Sequence, residues 1–180
     1  FRVVHLYGLT ESYGPATLCA WQEGWEALPV EERAAKLARQ GVALPTLAGV
    51  RVADPQSLVA AIEGGAERIE LCSALELGGL TPLPGMLALA AASGVPAYAL
   101  VRPRSGDFVF DTHDVDAMLR DIDAVRSAGL AGVVVGASRP DGTLDVPVLR
   151  RLLDHAVGLG STLHRAFDLV PDFAEATDAA

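Results

Sequence analysis

Four short stretches of the chain carry side chains that bind anions, move protons or hold soft metals. They are Glu70, Cys72 and Ser73 in "RIELCS", Arg102 and Arg104 in "VRPR", Ser138 and Arg139 in "GASRP", and His164, Arg165 and Asp168 in "HRAFD". The arginines are the sharpest signal. Every basic residue except Lys36 is an arginine, in a chain whose net charge is −9. A guanidinium holds a phosphate or carboxylate through two parallel N–H donors, which an ammonium cannot do. Ser73, Arg102, Arg104 and Arg165 are therefore the candidate ligand-binding set for a small anion, against the alternative of structural ion pairs. The candidate catalytic groups are Glu70, His164 and Asp168. Glu70 lies between Ile69 and Leu71, so in a strand it takes the opposite face from them. There it is either a general base or half of a buried ion pair with Arg68 or Arg102. His164 could serve as acid–base catalyst, anion donor or metal ligand, with Asp168 orienting it or Arg165. Cys72 is the candidate metal ligand, since a soft thiolate suits copper(I). With no C-x-x-C partner or Met cluster the metal signal is weak, and a small, inert core residue is the default reading.

These side chains need elements to position them. From about residue 48 onward, short β-rich runs alternate with helical patterns: "GVRVA", "RIELC", "PAYALVRP", "GVVVGA" and "TLHRAF" each lead into a helix. Asp54 and Pro55 read as N-cap and first residue of the first helix. The carboxylates of "SGDFVFDTHD" read as loop and cap material, with Thr112 or Asp114 as the expected N-cap. Such alternation predicts a parallel sheet covered on both faces. No G-x-G-x-x-G follows a strand, which weakens a dinucleotide-binding sheet. A full (β/α) barrel needs eight strands and about 250 residues. The expectation is thus an α/β fold, a partial TIM-type barrel of about five β/α units. In such folds ligands bind beyond the carboxyl ends of the strands, and the four reactive stretches are those ends.

Residues 1 to about 50 read differently, as an irregular N-terminal segment. They hold both tryptophans, the Gly-rich turn "LYGLTESYG", and a short helix in "LPVEERAAKLARQG" that starts at Pro29 and stops at Gly41. Cys19 and Cys72 are too far apart and too few for a disulfide framework, so a reducing cytoplasm is expected. No apolar run reaches the roughly 18 residues that span a bilayer. The acidic balance, with pI about 4.8, argues against nucleic acid or an anionic membrane as partner.

At "GGAERIELCSALELGGLTP", "VRPRSGDFVF", "VVVGASRPDGTLD" and "HRAFD" the sequence resembles the CutC family, in order and over about residues 52–180. The resemblance implies a cytoplasmic TIM barrel associated with copper tolerance or copper(I) binding. It carries the rim positions over as Glu70, Cys72, Ser73, Arg102, Arg104, His164, Arg165 and Asp168. Two departures stand out. Gly49 and Arg51 occupy places where the family's first strand has a Glu and a Cys, and the chain stops after the fifth unit. Residues 1–50 resemble instead an internal stretch of acyl-CoA synthetases, with Thr10 near phosphate and Glu11 near Mg²⁺ by the same carry-over. That family's phosphate loop, hinge and catalytic lysine are missing. The chain thus reads as a chimera joined around residues 48–54: 1–50 an acyl-CoA-synthetase-like fragment, 51–180 a CutC-like barrel shortened at its C-terminus. Copper(I) or a small anion is the expected ligand. The alternatives are a TIM-barrel enzyme for a small phosphorylated or carboxylated substrate, and a fused fragment without function. An open parallel sheet also exposes strand edges, which favours a homo-oligomer.

Overall fold

The computed structural model describes residues 5–7, 17–19, 27–30, 32, 42–43 and 50–179. Thr10 and Glu11, most of "LYGLTESYG" and most of the helix expected after Pro29 lie outside the described residues. Ahead of residue 50, β1 (His5–Tyr7), β2 (Thr17–Cys19) and β3 (Val42–Ala43) form an antiparallel sheet in that order.

Residues 50–179 build the expected rhythm. Strands β4 (Val50–Val52), β5 (Ile69–Leu71), β6 (Ala97–Leu100), β7 (Gly132–Val135) and β8 (Gly160–Leu163) form one sheet in sequence order. All four pairings are parallel. Between and after them run α1 (Pro55–Glu63), α2 (Pro84–Ala91), α3 (Thr112–Ala128), α4 (Val146–His155) and α5 (Phe173–Ala179). A doubly wound sheet reverses its strand order at a switch point. Here every strand pairs with the next, which is the order of a barrel arc. The arc is open: β4 and β8 each have one paired side among the described residues.

Local chemistry starts the helices. The Asp54 carboxylate accepts from Ser57 N at 2.9 Å, with Pro55 at the first helical position as expected. The expectation of Thr112 or Asp114 as the cap of α3 needs correction, because Asp111 caps it. Asp111 Oδ1 accepts from Asp114 N at 2.8 Å, while Asp114 Oδ2 accepts from Asp111 N at 3.4 Å. One residue earlier, an aspartate reaches the N3 amide and the N3 side chain reaches back, a reciprocal box.

Strand alternation separates two faces. On one, Val52, Ile69, Leu71, Ala97, Ala99, Val101, Val133 and Val135 pack against Leu58, Leu87, Met118, Ile122 and Leu152 of the helices. On the other, the register aligns Arg51, Glu70, Tyr98, Gly132 and Gly160 in a single row. The Tyr98 side chain lies across both glycines: a Cβ would come within 2.3 Å of its ring at Gly132 and of its hydroxyl at Gly160. Arg68 stacks its guanidinium 3.9 Å from the Tyr98 ring centre and donates to Thr162 Oγ1 at 2.6 Å. Cys72, Leu100 and Val134 form a small apolar cluster on this face.

The glycine row yields a stability prediction. A Cβ at Gly132 would meet Tyr98 and also Gly160 O at 2.4 Å, a backbone atom that cannot rotate away. Gly132→Ala should cost about 3 kcal/mol, the upper end for overpacking, in urea denaturation. An unchanged midpoint would mean that the ring does not occupy this row.

Candidate functional site

The rim beyond the strand ends is organised by Arg102, which follows β6 and is 4% exposed. Its Nη1 donates to Leu77 O and Gly79 O, both at 3.0 Å, and its Nη2 to Gly106 O at 2.7 Å. The guanidinium also lies 4.8 Å from the Phe108 ring centre. These bonds tie the loop after β5 to the loop after β6. Gly78 and Gly79, at φ +84° and +91°, allow the tight turn on which Leu77 O and Gly79 O approach this guanidinium. Burial first, then the neighbouring Arg165 and Arg104, hold the Arg102 pKa below its usual value. Its Nε is buried without a partner.

Arg104 clasps its own loop. Nε donates to Asp114 at 2.8 Å, Nη1 to Asp107 at 3.0 Å and Nη2 to Val109 O at 2.6 Å. Its hydrogen bonds to the Asp114 and then the Asp107 carboxylate raise its pKa. Ser73 Oγ donates to Thr81 O at 2.9 Å, and Thr81 Oγ1 donates in turn to Asp121 at 2.8 Å. Ser73 and Arg104 thus hold loops. Ser138 is buried, and its amide donates to Phe108 O at 2.9 Å.

Four of the expected residues meet in one concavity of about 480 Å³. Glu70, His164, Arg165 and Asp168 line it with Arg51 and Thr162. Glu70 pairs with Arg51 at 3.6 Å and Arg68 at 3.4 Å. Of its two expected partners, Arg68 is present, while Arg102 has its donors on loop carbonyls. Arg165 and Asp168 are exposed on a 3₁₀ turn (Arg165–Leu169). Neither makes a hydrogen bond or ion pair among the described residues, so Asp168 orients neither His164 nor Arg165.

His164 is 5% exposed. Its Nδ1 accepts from Ala166 N at 3.1 Å, capping the 3₁₀ turn. Its ring lies 4.7 Å from Phe108 and rests on Gly136, where a Cβ would come within 2.2 Å of it. Nε2 is buried with no partner. Burial first, then Arg102, Arg51 and Arg165, push the imidazole pKa down to about 4. The site therefore offers a neutral ring beside three guanidiniums, a setting that favours an anion.

Cys72, 2% exposed, sits in the apolar cluster and does not line the concavity. Burial raises its thiol pKa, which opposes the thiolate that a metal requires. Among the described residues no group of three His, Cys, Asp or Glu side chains is placed to hold a metal ion. These residues do not fit a resident copper centre. No described helix is long and apolar enough to cross a membrane. Arg51, Tyr98, Phe108 and Thr162 were not among the residues expected from sequence to serve the site. Arg51 had drawn notice only as a departure from the family pattern, and the others become visible once strand register is known.

His164 gives the fold a defined acid sensitivity. Its folded pKa of about 4 lies below the usual 6.5. Between those values the unfolded chain binds the proton and the folded chain does not. Stability therefore rises with pH across that window, is complete above about 6.5, and is lost as pH falls toward 4. The loss should reach roughly 3 kcal/mol in urea denaturation across a pH series, and His164→Leu should flatten the profile there. Asp54, Asp111 and Asp141, held low by bonds from Ser57, Asp114 and Thr143, act only below about pH 4.

Comparison with known proteins agrees with this architecture. The CutC family model matches residues 47–180. A CutC family protein of Sinorhizobium medicae is 63% identical over 131 residues, covering 73% of this chain and 54% of the relative. One of Caulobacter vibrioides is 60% identical over the same length and shares. A solved structure from Streptococcus agalactiae, described as a candidate copper homeostasis protein CutC, superposes with a TM-score of 0.68 at 26% identity, covering 72% of this chain and 65% of that one. The chain spans about half the length of the curated relatives it matches. The acyl-CoA synthetase resemblance of residues 1–50 draws no support from these matches, and the family model begins at residue 47. By its residues 47–180, the chain belongs to the CutC family.

Proposed function

We propose that the concavity at the carboxyl ends of β4, β5 and β8 binds a small oxyanion, a phosphate or a carboxylate. The observation that carries this reading is Arg165: an exposed guanidinium without a hydrogen-bond or ion-pair partner among the described residues, beside the buried His164 and within the electrostatic reach of Arg102. Arg165 and Arg51 supply charge and Thr162 a hydroxyl. Arg102 acts from behind, holding the loops, and Arg104 and Ser73 keep those loops in place. Asp168, which has no hydrogen-bond or ion-pair partner among the described residues, lines the same space, and Glu70 balances Arg51 and Arg68. Residues 51–180 form the functional part, an α/β arc suited to the cytoplasm by its free Cys72.

A direct test is calorimetry with inorganic phosphate. Arg165→Ala should weaken binding about tenfold or more, the value of one charge-assisted hydrogen bond. Equal affinity in parent and variant would sink the reading.

Copper(I) as cargo is the second reading, favoured by the copper homeostasis description of the Streptococcus relative and by the thiol of Cys72. Burial works against it. Copper(I) titration of Cys72→Ser and parent should give equal stoichiometry, and a drop of one ion per chain in the variant would favour copper instead.

A further inference from the structure

His164 has one donor, and the fold decides which nitrogen carries it. The Ala166 amide donates to Nδ1 at 3.1 Å. An amide N–H can be accepted only by a bare ring nitrogen, so Nδ1 holds a lone pair and the hydrogen sits on Nε2. That same bond opposes the imidazolium, in which both nitrogens are donors, and the folded ring takes its second proton only near pH 4. Nε2 is buried without a partner, in a ring that is 5% exposed and lines the concavity. A buried N–H left unmade is costly, so this donor lacks an acceptor that the fold itself does not supply among the described residues.

The ring cannot swing to another partner. Phe108 covers it at 4.7 Å, and it rests directly on Gly136, whose missing Cβ makes room for it. The charged groups acting on the ring are Arg102, Arg51 and Arg165, and Glu70 and Asp168 line the same space. We propose that His164 serves as a fixed, neutral Nε2–H donor to an oxygen of the bound anion, with the Ala166 amide and Gly136 as its positioning groups. This rests on the anion reading above. It also assigns the histidine a role other than proton transfer: it polarises an anionic or carbonyl oxygen while the guanidiniums carry the charge.

The occupant's chemistry follows. It presents an unprotonated oxygen to Nε2, and its affinity is set by its own charge state rather than by the histidine's. Inorganic sulfate, whose charge is constant over the range, is the suitable probe. In the full chain labelled with ¹⁵N-histidine, His164 is identified by its loss in His164→Gln. Its Nε2 should carry the proton from pH 8 to pH 5, and sulfate should shift the Nε2 resonance. Sulfate affinity should be flat over that range. Gly136→Ala should weaken sulfate about tenfold, and if that variant fails to fold, the resonances of the unmodified chain decide.

A proton on Nδ1, a ring midpoint near 6.5, or sulfate binding that leaves Nε2 unmoved would each overturn the donor role while leaving the anion site intact. Failure of sulfate and phosphate to bind at all would overturn the anion reading, and the gripping role with it.

Discussion

The rim of this protein hangs on one buried guanidinium. Arg102 is a charge taken almost wholly out of water, and such a charge is tolerated only where dipoles or counter-charges replace the lost solvation. Three main-chain carbonyls do so here, from Leu77, Gly79 and Gly106. Because those carbonyls belong to two different loops, satisfying the cation also fixes the loops relative to each other. Phe108, carried by the second loop, then lies between Arg102 and His164 and sets the ceiling over the histidine. The position of the unpartnered His164 Nε2 thus traces back to the solvation of a residue that does not line the concavity.

The electrostatics are uneven by construction. A chain of net charge −9 gathers Arg51, Arg102 and Arg165 around a single neutral ring. Each guanidinium makes protonation of that ring less favourable, and Arg165 does the same to Arg102. Glu70 offsets part of this repulsion but is shared between Arg51 and Arg68. The Arg165 guanidinium itself is exposed to solvent.

Much of this was legible in the sequence for a simple reason: alternation is local. The strand–helix rhythm, the five strand ends and the inward turn of Glu70 all follow from periods of two and three to four residues. The Asp54–Pro55 cap is equally local. What was not legible depends on registers and loop closure. Nothing adjacent to Arg102 or Arg104 indicates that loop carbonyls and aspartates take up their donors. Glu70's partner on β4 appears only when Arg51 is aligned beside it. Tyr98 and Gly160 lie more than sixty residues apart in sequence and form a row with Gly132 only through two parallel pairings. The cap of α3 was misplaced by one or three residues because Asp111, Thr112 and Asp114 are all good capping residues, and only the geometry of the turn distinguishes them.

The bond from Arg68 to Thr162 has a further consequence. Three strand spacings separate β5 from β8, roughly 14 Å along the sheet. On a flat sheet the two side chains would stand parallel and never converge, yet they meet at 2.6 Å. The bond is a chord, and a chord shorter than its arc means curvature. Tyr98 fills the hollow beneath it because Gly132 and Gly160 leave the concave side bare. The bend of a barrel wall is therefore already present in these five strands, with the Arg68–Thr162 bond spanning its concave side.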